Sequence, residues 1–118
     1  MSNKTQQIKS YQKVYPQIYS YILPTFQEND GSQKIGYTER EKVEDRILEQ
    51  VHTAAFRLKH TTLWSAPAFF KDGKENFKDK TFHEFLVKKG IVNRIDLGTE
   101  WFYFNGEPHI SKELFDLF

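Results

Sequence analysis

Gln17-Ile18-Tyr19-Ser20-Tyr21-Ile22 and Lys34-Ile35-Gly36-Tyr37-Thr38 are the two runs on which the fold turns. Both are rich in β-branched and aromatic residues, which suit a pleated, half-buried surface. Between them lies Glu28-Asn29-Asp30-Gly31, a clear turn signal. Pro16 sets the start of the first strand after it, and Pro24 ends that strand. The simplest pairing is an antiparallel hairpin. Tyr19 and Tyr21 are two apart, so their side chains leave the same face of the strand.

The second run leads straight into a helix. Thr38, with Glu41 three residues on, reads as a capping box that satisfies two free amide donors reciprocally. Val43, Ile47, Val51, Ala54 or Ala55, and Leu58 then recur at helical spacing and form one apolar stripe for the sheet. Arg46 sits beside that stripe rather than opposite it. Thr61 to Ala68 reads as a third strand, with Leu63 and Trp64 as core candidates and Pro67 limiting its far end. Lys71 to Lys78 is a polar loop. A second helix is expected over Asp79 to Lys89, with Phe82, Phe85 and Leu86 inward and Gly90 as its C-terminal cap. Trp101 to Phe104 is a short aromatic strand with Phe102 or Phe104 pointing inward. Ile110 to Phe118 is a last short helix. The expected fold class is α/β (α+β): a small antiparallel three-stranded sheet flanked by helices.

Composition sets the bounds. The 118 residues fit one domain. Eleven Phe, six Tyr and two Trp can supply its core, because each ring buries a large area. There is no cysteine, which excludes a disulfide framework, thiol catalysis and Cys-type zinc sites. No apolar run approaches the ~20 residues that span a bilayer. Met1 to Ser10 lacks the apolar stretch of a signal peptide, so the expected location is cytoplasmic. Residues 1–13 are expected to be a flexible extension and 14–118 a single domain. The apolar ending Leu117-Phe118 suggests a piece of a longer protein. A formal net charge of +1 argues against a protein that coats DNA by charge alone.

The order of these features resembles the core of the GIY-YIG nuclease superfamily: tyrosine strand, turn, Ile-Gly strand, then a helix with an arginine. The resemblance covers about Pro16 to Phe104. Gln17-Ile18-Tyr19 stands for the first motif, with Gln in place of the leading Gly. Lys34-Ile35-Gly36 stands for the second, with Lys in place of the leading Tyr. The Lys form is similar to a bacterial and phage branch whose signature continues with Thr38, Arg46, an acid four residues before a His (Asp79 and His83), and Gly98-Thr99-Glu100-Trp101-Phe102. Members of that branch occur at the N-terminus of helicase or restriction-type proteins. The resemblance therefore implies metal-dependent DNA cleavage, a Mg2+ or Mn2+ cofactor, and covalently linked helicase-type domains.

It also implies roles for particular residues. Arg46 would neutralise the phosphate, with a surface ion pair as the plain alternative. Tyr19 would position the phosphate and Tyr21 would bind substrate; otherwise both are ordinary strand aromatics. Lys34 would act as base or bind phosphate, against a solvated strand lysine. Asp79 would hold the metal, against a helix-start role, with Glu100 and Glu84 as fallback carboxylates. His83 would supply the base or orient the acid, against a core histidine bound to a carbonyl. His52, His60 and His109 show no ligand spacing. The rival function is a catalytically degenerate DNA-binding or target-sensing module.

Overall fold

The computed structural model describes residues 14–25, 30–52, 59–70, 73 and 75–118. The expectations for residues 1–13 and for Ala54, Ala55 and Leu58 lie outside them. Strands β1 (Gln17–Ile22), β2 (Gln33–Thr38) and β3 (Thr61–Pro67) are joined by β4 (Val92–Asn93) and β5 (Trp101–Tyr103). The sheet is therefore five-stranded, in the order β3-β1-β2-β5-β4, with every pair antiparallel. This corrects the three-stranded expectation. The strand expected over Trp101 to Phe104 forms as β5 and extends the sheet beyond β2, and β4, two residues long and too short to show a period of two, adds the fifth strand.

Among the described residues there are three helices: α1 (Val43–Val51), α2 (Asp79–Lys88) and α3 (His109–Leu117). None is long and apolar enough to cross a membrane. Strand alternation sends β1 residues to opposite faces. Tyr19, Tyr21 and Leu23 pack with Val43, Ile47 and Val51 of α1. Ile18 faces the other way, with Ile35, Ala68, Phe77, Phe82, Leu86, Phe102 and Phe104. Helix α3 closes that second core through Phe115 and neighbouring Phe118, whose rings meet Phe77 and Phe82.

A buried polar chain pins α3 to the sheet. Ser20 Oγ donates to Gln33 Oε1 at 2.8 Å, and Gln33 Nε2 donates to the Pro108 carbonyl at 3.0 Å. Trp64 Nε1 donates to Ser111 Oγ at 2.8 Å. Each buried polar group thus has a partner, which burial demands.

Two helix ends test the sequence reading. Gly90 takes φ +85° just beyond the Lys89 cap of α2, the left-handed position expected of a C-terminal glycine. The capping box at Thr38 does not form. Helix α1 starts at Val43, its N-cap is Lys42, and no side chain caps it. Thr38 stays in β2 opposite Gln17, and its hydroxyl accepts the Arg40 N–H at 3.1 Å. Gln17 Nε2 donates to the carbonyls of Arg40 and Glu41 at 2.9 and 3.0 Å. The residue in place of a leading glycine therefore holds the connection that carries Arg40.

Candidate active site

Register lines up Tyr21, Lys34 and Trp101 across β1, β2 and β5, and sets Tyr19 beside Gly36. A β-carbon built on Gly36 would overlap the Tyr19 ring and hydroxyl. Only a glycine there lets the Tyr19 ring lie across β2. The Tyr19 and Tyr21 rings are stacked, with centroids 6.2 Å apart, and Trp101 meets Tyr21 edge-on at 5.8 Å.

Helix α1 brings Arg46 and Gln50, four residues apart, over these rings. Gln50 Nε2 donates to the Tyr19 hydroxyl oxygen at 2.8 Å. The Tyr21 hydroxyl donates to Gln50 Oε1 at 3.0 Å. Arg46 also interacts with the Tyr19 hydroxyl. The Tyr19 oxygen is thus an acceptor, in a side chain that is fully buried between the sheet and α1. Burial pushes its pKa up; the hydrogen bond from Gln50 and the Arg46 charge pull the other way, and Glu100 adds to the rise. Burial likewise raises Tyr21, reinforced by Tyr19 and Glu100. Both are therefore phenols at neutral pH, suited to donating rather than to taking a proton. Tyr21 is committed to Gln50 and supports Tyr19 from behind.

Lys34 Nζ pairs with Glu100 at 3.1 Å, both side chains being largely shielded. Beyond Lys34 the partner strand stops: the last bond from β2 to that segment runs from Ile35 N–H to the Glu100 carbonyl. Helix α2 fills the gap. His83 Nε2 lies 2.7 Å from the Ile35 carbonyl oxygen. Since a carbonyl only accepts, Nε2 is the donating nitrogen in this contact. The His83 ring packs on Phe102 at 4.9 Å.

Asp79 is the first residue of α2, with Lys78 as N-cap. Burial, then the Glu100 charge, raises its pKa; His83 and the amides of Lys80 and Asp79 offset this in part. Asp79, His83, Glu100, Lys34, Arg46 and Tyr19 thus form one electrostatically connected group. Glu84, the other fallback carboxylate, lines a cavity of about 310 Å³ with Lys80, Val87, Lys88, Asn93 and Phe102; His83 itself lines that cavity too.

Among the described residues no three His, Asp or Glu side chains converge as a metal-binding group. Asp79 and Glu100 are two carboxylates whose like charges oppose each other.

The sequence reading missed Arg40 as a member of this region and took Glu49 and Gln50 only as surface neighbours of Arg46; the Arg46–Glu49 surface pair does form. Only the four-residue step from Arg46 to Gln50 signalled a shared helix face. Arg40 and Arg46 both bond to Glu49, Arg46 at 3.4 Å.

No family model matches the chain, and no solved structure matches it. It is 31% identical over 110 residues to a protein of Mycoplasma pneumoniae (strain ATCC 29342 / M129 / Subtype 1). That protein is named "Putative type II restriction enzyme and methyltransferase RM.MpnORF109P N-terminus". The match takes in 80% of this chain and 64% of that protein. The chain therefore spans just under two thirds of the length of this relative.

Proposed function

We propose that the chain is a metal-dependent DNA endonuclease module of GIY-YIG type, working within a larger restriction-type protein. The observation that carries this reading is the electrostatic linkage of Tyr19, Lys34, Arg46 and Glu100, from four separate stretches of chain, along β2. The likeness to a protein named as a restriction enzyme N-terminus supports it.

Phosphodiester hydrolysis needs a positioned water, a base for its proton, and cations on the phosphate oxygens. Arg46 offers a fork of donors to those oxygens. The Tyr19 proton donates to one of them. Lys34, an ion-paired ammonium, binds phosphate as a point charge. His83 Nδ1 is the accepting group for the proton of the attacking water. Asp79 and Glu100 would hold magnesium or manganese, which supplies a Lewis acid when bound.

A second reading is favoured by one contact. The Lys34–Glu100 pair places an ammonium on a proposed metal ligand, which suits a catalytically degenerate DNA-binding or target-sensing module. One assay separates the two. The chain is incubated with supercoiled plasmid and magnesium or manganese, with Arg46→Ala alongside. Nicking lost on substitution supports the nuclease. Salt-sensitive binding without nicking supports the sensor.

A further inference from the structure

A cleft of about 370 Å³ opens beside Arg46, lined by Tyr37, Thr38, Glu39, Arg40, Arg46 and Lys78. Three of its six side chains are cationic. Its one carboxylate, Glu39, is engaged by the Tyr37 hydroxyl at 2.9 Å. Lys78 is exposed and has no ion-pair partner among the described residues. Arg40 and Arg46 share one counter-ion, Glu49, which bonds to both guanidinium groups. Those arginines hold the Glu49 carboxyl below its ordinary range, Arg40 contributing most.

We propose that this cleft seats a second, non-scissile phosphate of the DNA backbone, and that Glu49 holds its two arginines until that phosphate replaces it. The inference rests on the nuclease reading and deepens it, by fixing which way the strand leaves the site. The chemistry is that of a singly charged phosphodiester. Among the side chains that line it, two guanidinium forks and an ammonium face one carboxylate, Glu39, and each fork matches a pair of phosphate oxygens. Arg46 belongs to both the candidate active site and the cleft, so the two phosphates are neighbours along one strand. The loop carrying Arg40 is held by Gln17, so the seat is preorganised on one side. A carboxylate shared between two arginines is a weak surface arrangement, screened by solvent, and a phosphate of equal charge displaces it at small cost.

The test uses a fluorescently labelled duplex, anisotropy across a salt series, and plasmid nicking in parallel. Lys78→Gln and Arg40→Gln should each weaken binding severalfold and lower the salt slope by about 1, with the loss of cleavage falling on KM. Glu49→Gln should tighten binding. Lys112→Gln, whose partner is Asp116 on α3, serves as the control and should match wild type. All four positions are solvent-facing, and unfolding temperatures check that the fold is kept. If wild type nicks DNA but the Lys78 and Arg40 variants bind with unchanged affinity and salt slope, the cleft assignment falls and the nuclease reading stands. Tighter binding that fails to appear in Glu49→Gln overturns the counter-ion role. Binding of inorganic phosphate without binding of duplex overturns the backbone assignment. If wild type neither binds nor nicks, both readings fall together.

Discussion

Tyr19 owes its position to an absence: Gly36 has no side chain to block the ring. Gly36→Ala therefore overpacks a fully buried site, and should cost about 1–3 kcal/mol in urea unfolding. It should also abolish nicking by displacing the hydroxyl. Tyr19→Phe keeps the ring and removes the donor, so cleavage should fall about 100-fold or more if the phenol meets the phosphate, with stability altered far less. Asp79 gives a prediction of opposite sign. Its pKa is raised, so the charged form works against folding. Its unfavourable contribution grows as pH rises from the ordinary value of 3.8 through the folded one. Asp79→Asn should raise the unfolding temperature at neutral pH in metal-free buffer, and the gain should vanish below about pH 3.8. Tyr19, Gly36 and Arg46 were singled out in the sequence by the order of motifs they fall in, since a tyrosine in a strand or an arginine on a helix is ordinary by itself. Gln50 was not, because a glutamine that bridges two hydroxyls looks like any helix-surface amide. Glu100 was read only as a fallback, because its pairing with Lys34 depends on β5 lying beside β2, a neighbour relation the sequence does not show.

Helix α1 was the most legible element. Its stripe of Val43, Ile47 and Val51 is buried as the spacing implies. Ile47→Ala, at a fully buried position, should destabilise by about 2–5 kcal/mol in chemical unfolding. Its start was misread because Thr38 can cap a helix in principle, yet pairing with Gln17 keeps it in the sheet. The sequence has no way to rank those two uses of one hydroxyl. The far side of α1 is tied to β3 by Glu44, which accepts from Thr62 and pairs with His60 at 2.9 Å. Burial works to raise the Glu44 pKa, but the Thr62 and His60 hydrogen bonds bring it below the ordinary 4.5. Its stabilising contribution is therefore complete above pH 4.5 and lost as pH falls through the lower, folded value. Glu44→Gln should flatten the pH dependence of the unfolding midpoint in that acid window. Strands β4 and β5 were illegible or only half read, since two or three residues carry no period. The aromatic content of Trp101 to Tyr103 nevertheless marked a strand.

The molecule as a whole is a five-stranded sheet with α1 on one face and α2 and α3 on the other. The candidate site sits where these layers meet, because β5 ends early and lets α2 reach the exposed rim of β2. That arrangement brings His83 onto the Ile35 carbonyl and links Asp79 electrostatically to Glu100, the partner of Lys34. Near-neutral net charge is compatible with it, since Arg40, Arg46 and Lys78 line a single cleft. The decisive measurement is the nicking rate of supercoiled plasmid by the 118-residue chain in magnesium, compared with Arg46→Ala of equal unfolding temperature and with wild type under chelator. The nuclease account predicts cleavage by wild type that falls at least 100-fold on either change, on the scale of losing one charge-stabilising group. Undiminished nicking by Arg46→Ala, or no nicking by the folded wild type with either metal, would contradict it.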